Sequence, residues 1–536
     1  MHKASNRDSA PKPERLWRGL DEGGDTLRTK LHGELGDEYS MKPVPDPLHE
    51  AGPGAHAVSL DRRQFLQLAG ASLALSGLAG CGRPPREANL PYVHAPEHMV
   101  PGQPLFYATA LPLDGFGRGV LVEADMGRPT KVEGNPRHPA SRGGTDIFAQ
   151  AAVLDLWDSD RSREPLHQGQ PATWESLLAM LSRSRAQLAD RAGTGLAVLT
   201  GPVSSPTLGA QLAQLLKDLP EARWYHASPA GEAEALLAGE AAFGARVLPL
   251  LHMDRAAVML SLDADPLGPG PDQVAYARDF CAARKPEATP RSGDDRSDSF
   301  LRLYAVEPTP SLTGAMAEHR LALRWPQVEI VARRVANRLG LAVADSASDG
   351  GIPQQWLEAL VADLERYGDR ALVVVGERQN EAVHRVACAI NSHLGAIGST
   401  VSYRPPALAT AEAHVGGLDS LAEDLRAGDI QLLLILDTNP IYEAPANLDL
   451  ARAMATAGEV VHLGLYVDET AAAADWHVPA AHPLESWGDL RSPDGTATIA
   501  QPLIAPLYAG HTAGELLDAL LSRDGPRAPY ELVRGY

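Results

Sequence analysis

Cysteine and histidine carry the most specific chemistry in this sequence, and the cysteines set the tightest limit. The chain has three of them, Cys81, Cys281 and Cys388, and no pair has the short spacing of a zinc or redox motif. Three isolated thiols cannot supply the four thiolates of an iron–sulfur cluster. Cys281 and Cys388 lie in apolar, helix-like stretches, so we predict that both are buried structural thiols.

The 18 histidines are dispersed, and the nearest approach to a metal-binding group is His477, His482 and Glu485. Pro479 prevents the two histidines from sharing a helix face, so we interpret them as loop histidines and predict no metal site. The sequence has no phosphate-binding Gly-x-x-x-x-Gly-Lys loop, no Gly-x-Gly-x-x-Gly motif and no Gly-x-Ser-x-Gly elbow. No residue is therefore predicted to be catalytic.

An export signal is the clearest functional motif. Arg62 and Arg63 are followed, after Gln64, by Phe65, Leu66 and an apolar run that ends at Cys81. The run is too short for a stable membrane span, for which about 20 residues are needed, and is typical of a twin-arginine signal. The small residues before Cys81 resemble a lipobox and make it a candidate lipidation site. An uncleaved apolar helix with an inert Cys81 is the alternative.

Composition limits the class of partner. The 536 residues carry a formal net charge of -20, which argues against nucleic acid, because phosphate binding depends on Lys and Arg. Hydrophobic residues make up 44% of the chain, as in ordinary globular proteins, and the length predicts several packed units. Residues 1–58 form a polar extension in front of the export segment at 59–81.

The elements that would position any site follow from the hydrophobic pattern. A hairpin is predicted at 119–136, followed by a helix from 146 to about 157. Beyond residue 165, apolar strands (196–199, 257–260, 301–306, 372–375, 432–436 and 460–463) alternate with amphipathic helices (among them 207–219 and 327–339). Such alternation indicates an α/β fold with doubly wound, mostly parallel sheets, here behind a small β-rich N-terminal domain.

Four segments resemble loops of the molybdopterin oxidoreductases: 127–139, 154–161, 436–440 and 479–489. The whole chain is similar, more closely, to the large periplasmic molybdopterin-oxidoreductase-like, iron–sulfur subunit of bacterial alternative complex III. The segments that carry this resemblance are 16–22, 62–66, 104–109, 307–316 and 501–508. It implies a small mixed β domain at 82–165, a doubly wound domain at 166–245 plus 346–536, and an inserted Rossmann-like domain at 246–345.

The sequence also departs from these relatives. The resemblance places the last cysteine of a four-iron cluster near Asp146, and the lysine that lies between cluster and pterin near Phe148, but neither a cysteine nor a lysine stands at these positions. The C-terminal cap and the ferredoxin-like half of the relatives are not in this sequence, as expected if a separate polypeptide supplies the clusters or if the sequence is truncated. The loops Gly134-Asn135-Pro136 and Asn439-Pro440 are interpreted as relics of a cofactor pocket, or simply as turns.

The function implied by the resemblance is that of a cofactor-free scaffold in alternative complex III, at the periplasmic face of the bacterial inner membrane. The implied partners are an iron–sulfur ferredoxin-like subunit, multihaem cytochrome c subunits and polytopic quinol-binding membrane subunits. Three alternatives stay open: an active molybdopterin-dependent oxidoreductase, a subunit of a related quinone reductase complex, and a free-standing envelope lipoprotein.

Overall fold

The computed structural model describes residues 100, 102–227, 232–285, 300–344, 350–409, 415–522 and 525–536. The described part of Phe106–Tyr536 belongs to one compact unit. The predicted polar extension, the export residues Arg62, Arg63, Phe65 and Leu66, and the candidate lipidation site Cys81 lie outside the described residues.

The strands, in chain order, are β1 (Leu105–Leu113), β2 (Phe116–Asp125), β3 (Arg128–Gly134), β4 (Leu166–His167), β5 (Gln170–Pro171), β6 (Leu196–Thr200), β7 (Arg223–His226), β8 (Leu248–Leu251), β9 (Val258–Leu262), β10 (Arg302–Glu307), β11 (His319–Ala322), β12 (Ala371–Val375), β13 (Val401–Arg404), β14 (Val415–Gly416), β15 (Leu432–Leu436), β16 (Glu459–Gly464), β17 (Trp476–Pro479), β18 (Gly488–Arg491) and β19 (Ala497–Ala500).

The α-helices are α1 (Ile147–Trp157), α2 (Trp174–Asp190), α3 (Pro206–Asp218), α4 (Ala233–Phe243), α5 (Gln273–Ala283), α6 (Leu312–Ala315), α7 (Trp325–Arg338), α8 (Gln354–Tyr367), α9 (Glu381–His393), α10 (Leu418–Ala427), α11 (Pro440–Glu443), α12 (Leu450–Met454), α13 (Glu469–Ala473), α14 (Ala513–Leu521) and α15 (Pro529–Gly535). Within the described ranges, no helix has the length and apolar character that crossing a bilayer requires.

The N-terminal layer is a three-stranded sheet in the order β1-β2-β3, on which α1 packs. The predicted hairpin is confirmed as the antiparallel pair β2–β3. The predicted helix is also confirmed, and Asp146 is its N-cap, because its carboxylate accepts a hydrogen bond from the backbone N–H of Ala149.

Two doubly wound sheets form the rest of the core, as predicted. A four-stranded parallel sheet has the order β11-β10-β9-β12, with α7, α8 and α9 on one face and α5 on the other. An eight-stranded sheet has the order β14-β7-β6-β15-β16-β17-β4-β5, with α2, α3 and α14 on one face and α10 and α12 on the other. Strands buried on both faces explain the continuous apolar runs in the sequence.

The smaller sheet extends past the predicted domain boundary at residue 345. Its fourth strand, β12, lies in a range that the sequence analysis assigned to the other doubly wound domain, and it pairs in parallel with β9. The pairing has a simple cause. β10 covers one edge of β9, and β12 supplies the neighbour that the other edge needs.

The two described cysteines differ in exposure. Cys388 is buried on α9, as predicted. The prediction is wrong for Cys281, which is exposed. It lies on α5, whose buried face is made by Ala275, Asp279, Phe280 and Ala283, and it projects from the other side of that helix.

A buried ion pair ties the N-terminal layer to the C-terminal loops. Arg161 donates two hydrogen bonds to Glu485, at 3.1 and 2.7 Å, and both side chains are almost fully buried. The backbone N–H groups of His482 and Leu507 also donate to Glu485. Burial raises the pKa of Glu485, but Arg161 and these N–H groups outweigh it, so the pKa lies below its ordinary value.

We expect Glu485→Gln to lower the free energy of unfolding by about 3–5 kcal/mol, because it leaves the Arg161 guanidinium buried without its counter-charge. The matched control is Glu240→Gln, since Glu240 pairs with Arg246 at the surface and such pairs contribute about 0–1 kcal/mol. Urea denaturation of the two variants measures both effects. Equal losses would show that the pair does not hold the layers together.

Candidate functional site

A cavity of about 420 Å³ lies at the carboxyl ends of β9 and β12. Along the chain, β9 is followed by β10 on one side and only later by β12 on the other, so the strand order reverses at β9. In open parallel sheets, the loops on the two sides of such a reversal diverge and leave a crevice at the carboxyl edge. The cavity is this crevice.

The two loops meet closely at the cavity floor. Asp263, the first residue after β9, has a φ of 56°, a left-handed conformation that Asp tolerates better than most residues. Its carboxylate accepts a 2.9 Å hydrogen bond from Gln379. Gly376 follows β12, and a Cβ there would overlap the backbone oxygen of Asp263, so only glycine allows this approach.

Carboxylates dominate the polar wall of the cavity. Burial, together with smaller contributions from the nearby Glu377 and Asp272, raises the pKa of Glu232 to about 7. Burial also raises the pKa of Asp272 to about 7, although a hydrogen bond from Tyr276 opposes the rise. The pKa of Glu377 is raised by burial and by Asp114. These shifts share one cause, which is that negative charge is poorly solvated here.

The α9 wall is neutral. Burial lowers the pKa of His384 to about 4, against the opposing effects of Glu234 and of hydrogen bonds to the backbone of Gln379 and Gly376. Burial raises the pKa of the Cys388 thiol, so it is not an activated nucleophile. The arrangement can bind a ligand, but it contains neither an activated nucleophile nor, within the described ranges, a group of three metal-ligating side chains.

The first predicted relic loop is a tight structural turn. Gly134 ends β3, and a Cβ there would overlap the backbone of Gly143 and Gly144. The backbone oxygen of Asn135 accepts hydrogen bonds from the N–H groups of His138 and Gly143, and its side chain accepts one from the Arg137 N–H. Pro136 follows in the same turn. The polar groups of Asn135 are therefore bonded to neighbouring residues of the same turn.

The second predicted relic loop lies at the corresponding reversal in the larger sheet, between β6 and β15. Asn439 is the N-cap of α11, Pro440 is its first residue, and the side chain of Asn439 accepts a 2.6 Å hydrogen bond from Thr470 and donates to Glu469. This loop does not line the 420 Å³ cavity. Gly134, Asn135 and Pro136 do not line that cavity either.

The position assigned to the last cluster cysteine is occupied by a buried ion pair. Asp146 caps α1 and is paired with Arg118, and both side chains are buried. The void beside them is about 10 Å³, room for roughly one water molecule. Cys281 and Cys388 lie on α5 and α9, and Phe148 is partly exposed. The residues that the structure describes around Asp146 do not fit an iron–sulfur cluster.

A buried histidine pair is the feature that sequence reasoning missed. His477, singled out for its spacing to His482, lies on β17, and its Nδ1 is 3.1 Å from Nδ1 of His462 on β16. The Thr438 carbonyl can only accept a hydrogen bond, so Nε2 of His462 donates to it. Nδ1 of the neutral His462 ring is then an acceptor, and Nδ1 of His477 donates to it. Nε2 of His477 in turn accepts from the Ser162 hydroxyl. The two histidines are adjacent because the register of β16 and β17 places them opposite each other, and their spacing in the sequence does not predict this.

Comparison with known proteins is consistent with this fold. No protein-family model matches the chain. The menaquinone reductase molybdopterin-binding-like subunit of Nitratidesulfovibrio vulgaris is 24% identical over 470 residues, which cover 78% of this chain and 65% of that subunit. This chain therefore matches about two thirds of the relative's length.

Among solved structures, acetylene hydratase from Pelobacter acetylenicus superposes with a TM-score of 0.59 at 12% identity, covering 77% of this chain and 68% of that one. At such low identity the likeness establishes the fold alone. The predicted molybdopterin-oxidoreductase-like α/β fold is thus confirmed.

We expect the histidine pair to make folding stability fall as pH drops from 6.5 towards 4. Burial lowers the pKa of His462 and of His477 to about 4, so the unfolded chain takes up protons in this window and the folded chain does not. The contribution of the histidine pair to folding stability is fully present above pH 6.5. The double variant His462→Leu/His477→Leu should lose up to about 1.4 kcal/mol per pH unit of this dependence for each histidine removed.

Urea denaturation at several pH values measures the dependence. The control is His393→Leu, because His393 is exposed at the end of α9 and should leave the slope as in the unmodified chain. An unchanged slope in the double variant would contradict the expectation.

Proposed function

We propose that this chain is a non-catalytic scaffold subunit, with no redox cofactor of its own, of a quinone-linked respiratory electron-transfer complex. The observation that carries the proposal is the similarity to the molybdopterin-binding-like subunit of a menaquinone reductase, which extends over 78% of this chain. The sequence segments similar to alternative complex III lead us to the finer proposal, that the complex passes electrons from quinol to a periplasmic carrier or terminal oxidase.

The chemistry at Asp146 supports a scaffold rather than an electron carrier. A four-iron cluster needs four soft ligands, usually thiolates, and the whole sequence has three cysteines. Arg118 and Asp146 instead satisfy each other in a buried pair, with the Asp146 carboxylate also closing the N-terminus of α1. A group that is already neutralised and hydrogen-bonded has little free capacity to bind a metal.

A scaffold of this kind would hold the cofactors of its partner subunits in fixed positions. Electron transfer over long distances needs cofactors held at short, fixed separations, and two large sheets buried on both faces make a rigid support. In this proposal the clusters and haems belong to an iron–sulfur ferredoxin-like subunit and to multihaem cytochrome c subunits, and polytopic membrane subunits bind the quinol. The twin-arginine segment supports export to the periplasmic face of the inner membrane, with a peripheral or lipid-anchored attachment.

A second candidate is a subunit of a complex that reduces quinone, and the name of the matched relative favours it. The two candidates share the scaffold role and differ in the direction of electron flow. The third candidate, an active molybdopterin oxidoreductase, requires the pterin and the metal to be present in this chain.

Metal and pterin analysis of the purified full-length chain tests the absence of a cofactor. We expect iron and molybdenum far below one atom per chain by mass spectrometry, and no fluorescent pterin after oxidation of a denatured sample. An Asp146→Cys variant should also gain no iron, because its neighbours supply no further thiolates. Stoichiometric iron or molybdenum in the unmodified chain would overturn the proposal and favour the active enzyme.

Co-purification tests membership of a complex. A tagged chain extracted from native membranes in detergent should bring with it haem-staining and iron-containing subunits together with polytopic membrane proteins. Quinol-dependent cytochrome reduction by that preparation supports alternative complex III, and donor-dependent menaquinone reduction supports the second candidate. Recovery of the chain as a lone monomer after detergent-free lysis would refute both and favour a free-standing envelope protein.

A further inference from the structure

We propose that the 420 Å³ cavity at the carboxyl ends of β9 and β12 binds a small organic cation that carries amine or guanidine N–H donors. This binding site is independent of the scaffold role and does not require a redox group. Four features of the cavity lead to it: its unpaired acceptors, its charge, the end of the helix that faces it, and its size.

Two acceptors at the cavity have no hydrogen-bond partner within the described part of the chain. They are Nε2 of His384, a side chain only 7% exposed, and Oε2 of Glu232. Since His384 Nε2 is the unpaired nitrogen, Nδ1 is the one that bonds to the backbone of Gly376 and Gln379, and it does so as a donor. The neutral ring therefore presents a lone pair. Leaving a buried acceptor unpaired is unfavourable, and an N–H donor from a ligand removes that cost.

The charge of the lining favours a cation. Five carboxylates line the cavity, namely those of Glu232, Asp263, Asp265, Asp272 and Glu377, against the two guanidinium groups of Arg378 and Arg404. Arg378 lies 3.4 Å from Asp263, and Asp265 accepts hydrogen bonds from the backbone and hydroxyl of Thr313. Glu232, Asp272 and Glu377 remain as a group whose mutual repulsion a positive ligand relieves.

An anionic ligand is disfavoured by the loop that leads into α5. In doubly wound folds, phosphates commonly bind the N–H groups at a helix N-terminus beside this crevice. Here the N-cap of α5 is Asp272, so a carboxylate already stands at the positive end of the helix. Pro266, Pro269 and Pro271 line the cavity beside it, and proline has no backbone N–H to offer a phosphate.

The volume and the apolar walls of the cavity limit the size and the chemical type of the ligand. A cavity of about 420 Å³ lies in the range that encloses a small molecule. Tyr276 and Tyr403 add aromatic rings to the wall, and an aromatic face attracts a cation within about 6 Å of its centre. An alkyl amine or alkyl guanidine matches both the acceptors and these walls.

Isothermal titration calorimetry of the purified full-length chain with agmatine, which carries a guanidinium and an ammonium group, tests the proposal. We expect one saturable site per chain in buffer of physiological ionic strength, where loose binding to the acidic surface is screened. Glu232→Gln should weaken agmatine binding at least tenfold, because it removes the unpaired acceptor's charge. Glu377→Gln provides a second variant from a different loop, with the same expected direction.

The matched control is Glu358→Gln on α8, an exposed carboxylate outside the cavity, which should change the affinity less than twofold. Circular dichroism checks that each variant is folded, and the titration of the unmodified chain decides the question if a variant is not. No saturable binding of agmatine or spermidine would overturn the proposal, as would equal weakening in Glu232→Gln and Glu358→Gln. Saturable binding of guanosine triphosphate in place of agmatine would overturn it as well.

Discussion

Parallel strand pairing is the constraint on which the rest of this structure depends. It sends the carboxyl ends of all strands in a sheet to one edge, and a reversal of strand order then opens a crevice between two loops. The chain does this twice, at β9 and at β6. The 420 Å³ cavity, the left-handed Asp263 and the close approach of Gly376 are all consequences of the first reversal.

The two reversals are built alike and differ in chemistry. At each reversal, one strand is followed by an aspartate in the left-handed conformation. These residues are Asp263 after β9 and Asp437 after β15. Two residues on, Asp265 accepts from the Thr313 hydroxyl and Asn439 from the Thr470 hydroxyl, each threonine coming from the first turn of a short helix. At the matching position the first loop has a carboxylate, Asp265, and the second has a neutral amide, Asn439.

Two buried ion pairs connect parts of this protein that are distant in the fold or the sequence. Arg161–Glu485 connects residues 324 positions apart, and Arg118–Asp146 joins β2 to the start of α1. In both pairs the backbone also bonds the carboxylate and a terminal guanidinium nitrogen, which helps a buried pair to be tolerated, although the Nε of each arginine has no partner within the described residues.

The sequence by itself determined the fold class, the hairpin, most strands, the helix beginning at Asp146 and the shortage of cysteines, because these depend on local periodicity and on counting. It could not determine that β12 pairs with β9, that Cys281 faces solvent, or that His462 meets His477. Strand order and register bring together residues that are distant along the chain, and no local pattern encodes them. For the same reason the cavity carboxylates, contributed by separate loops and by the residue before α4, became a site only in the tertiary structure.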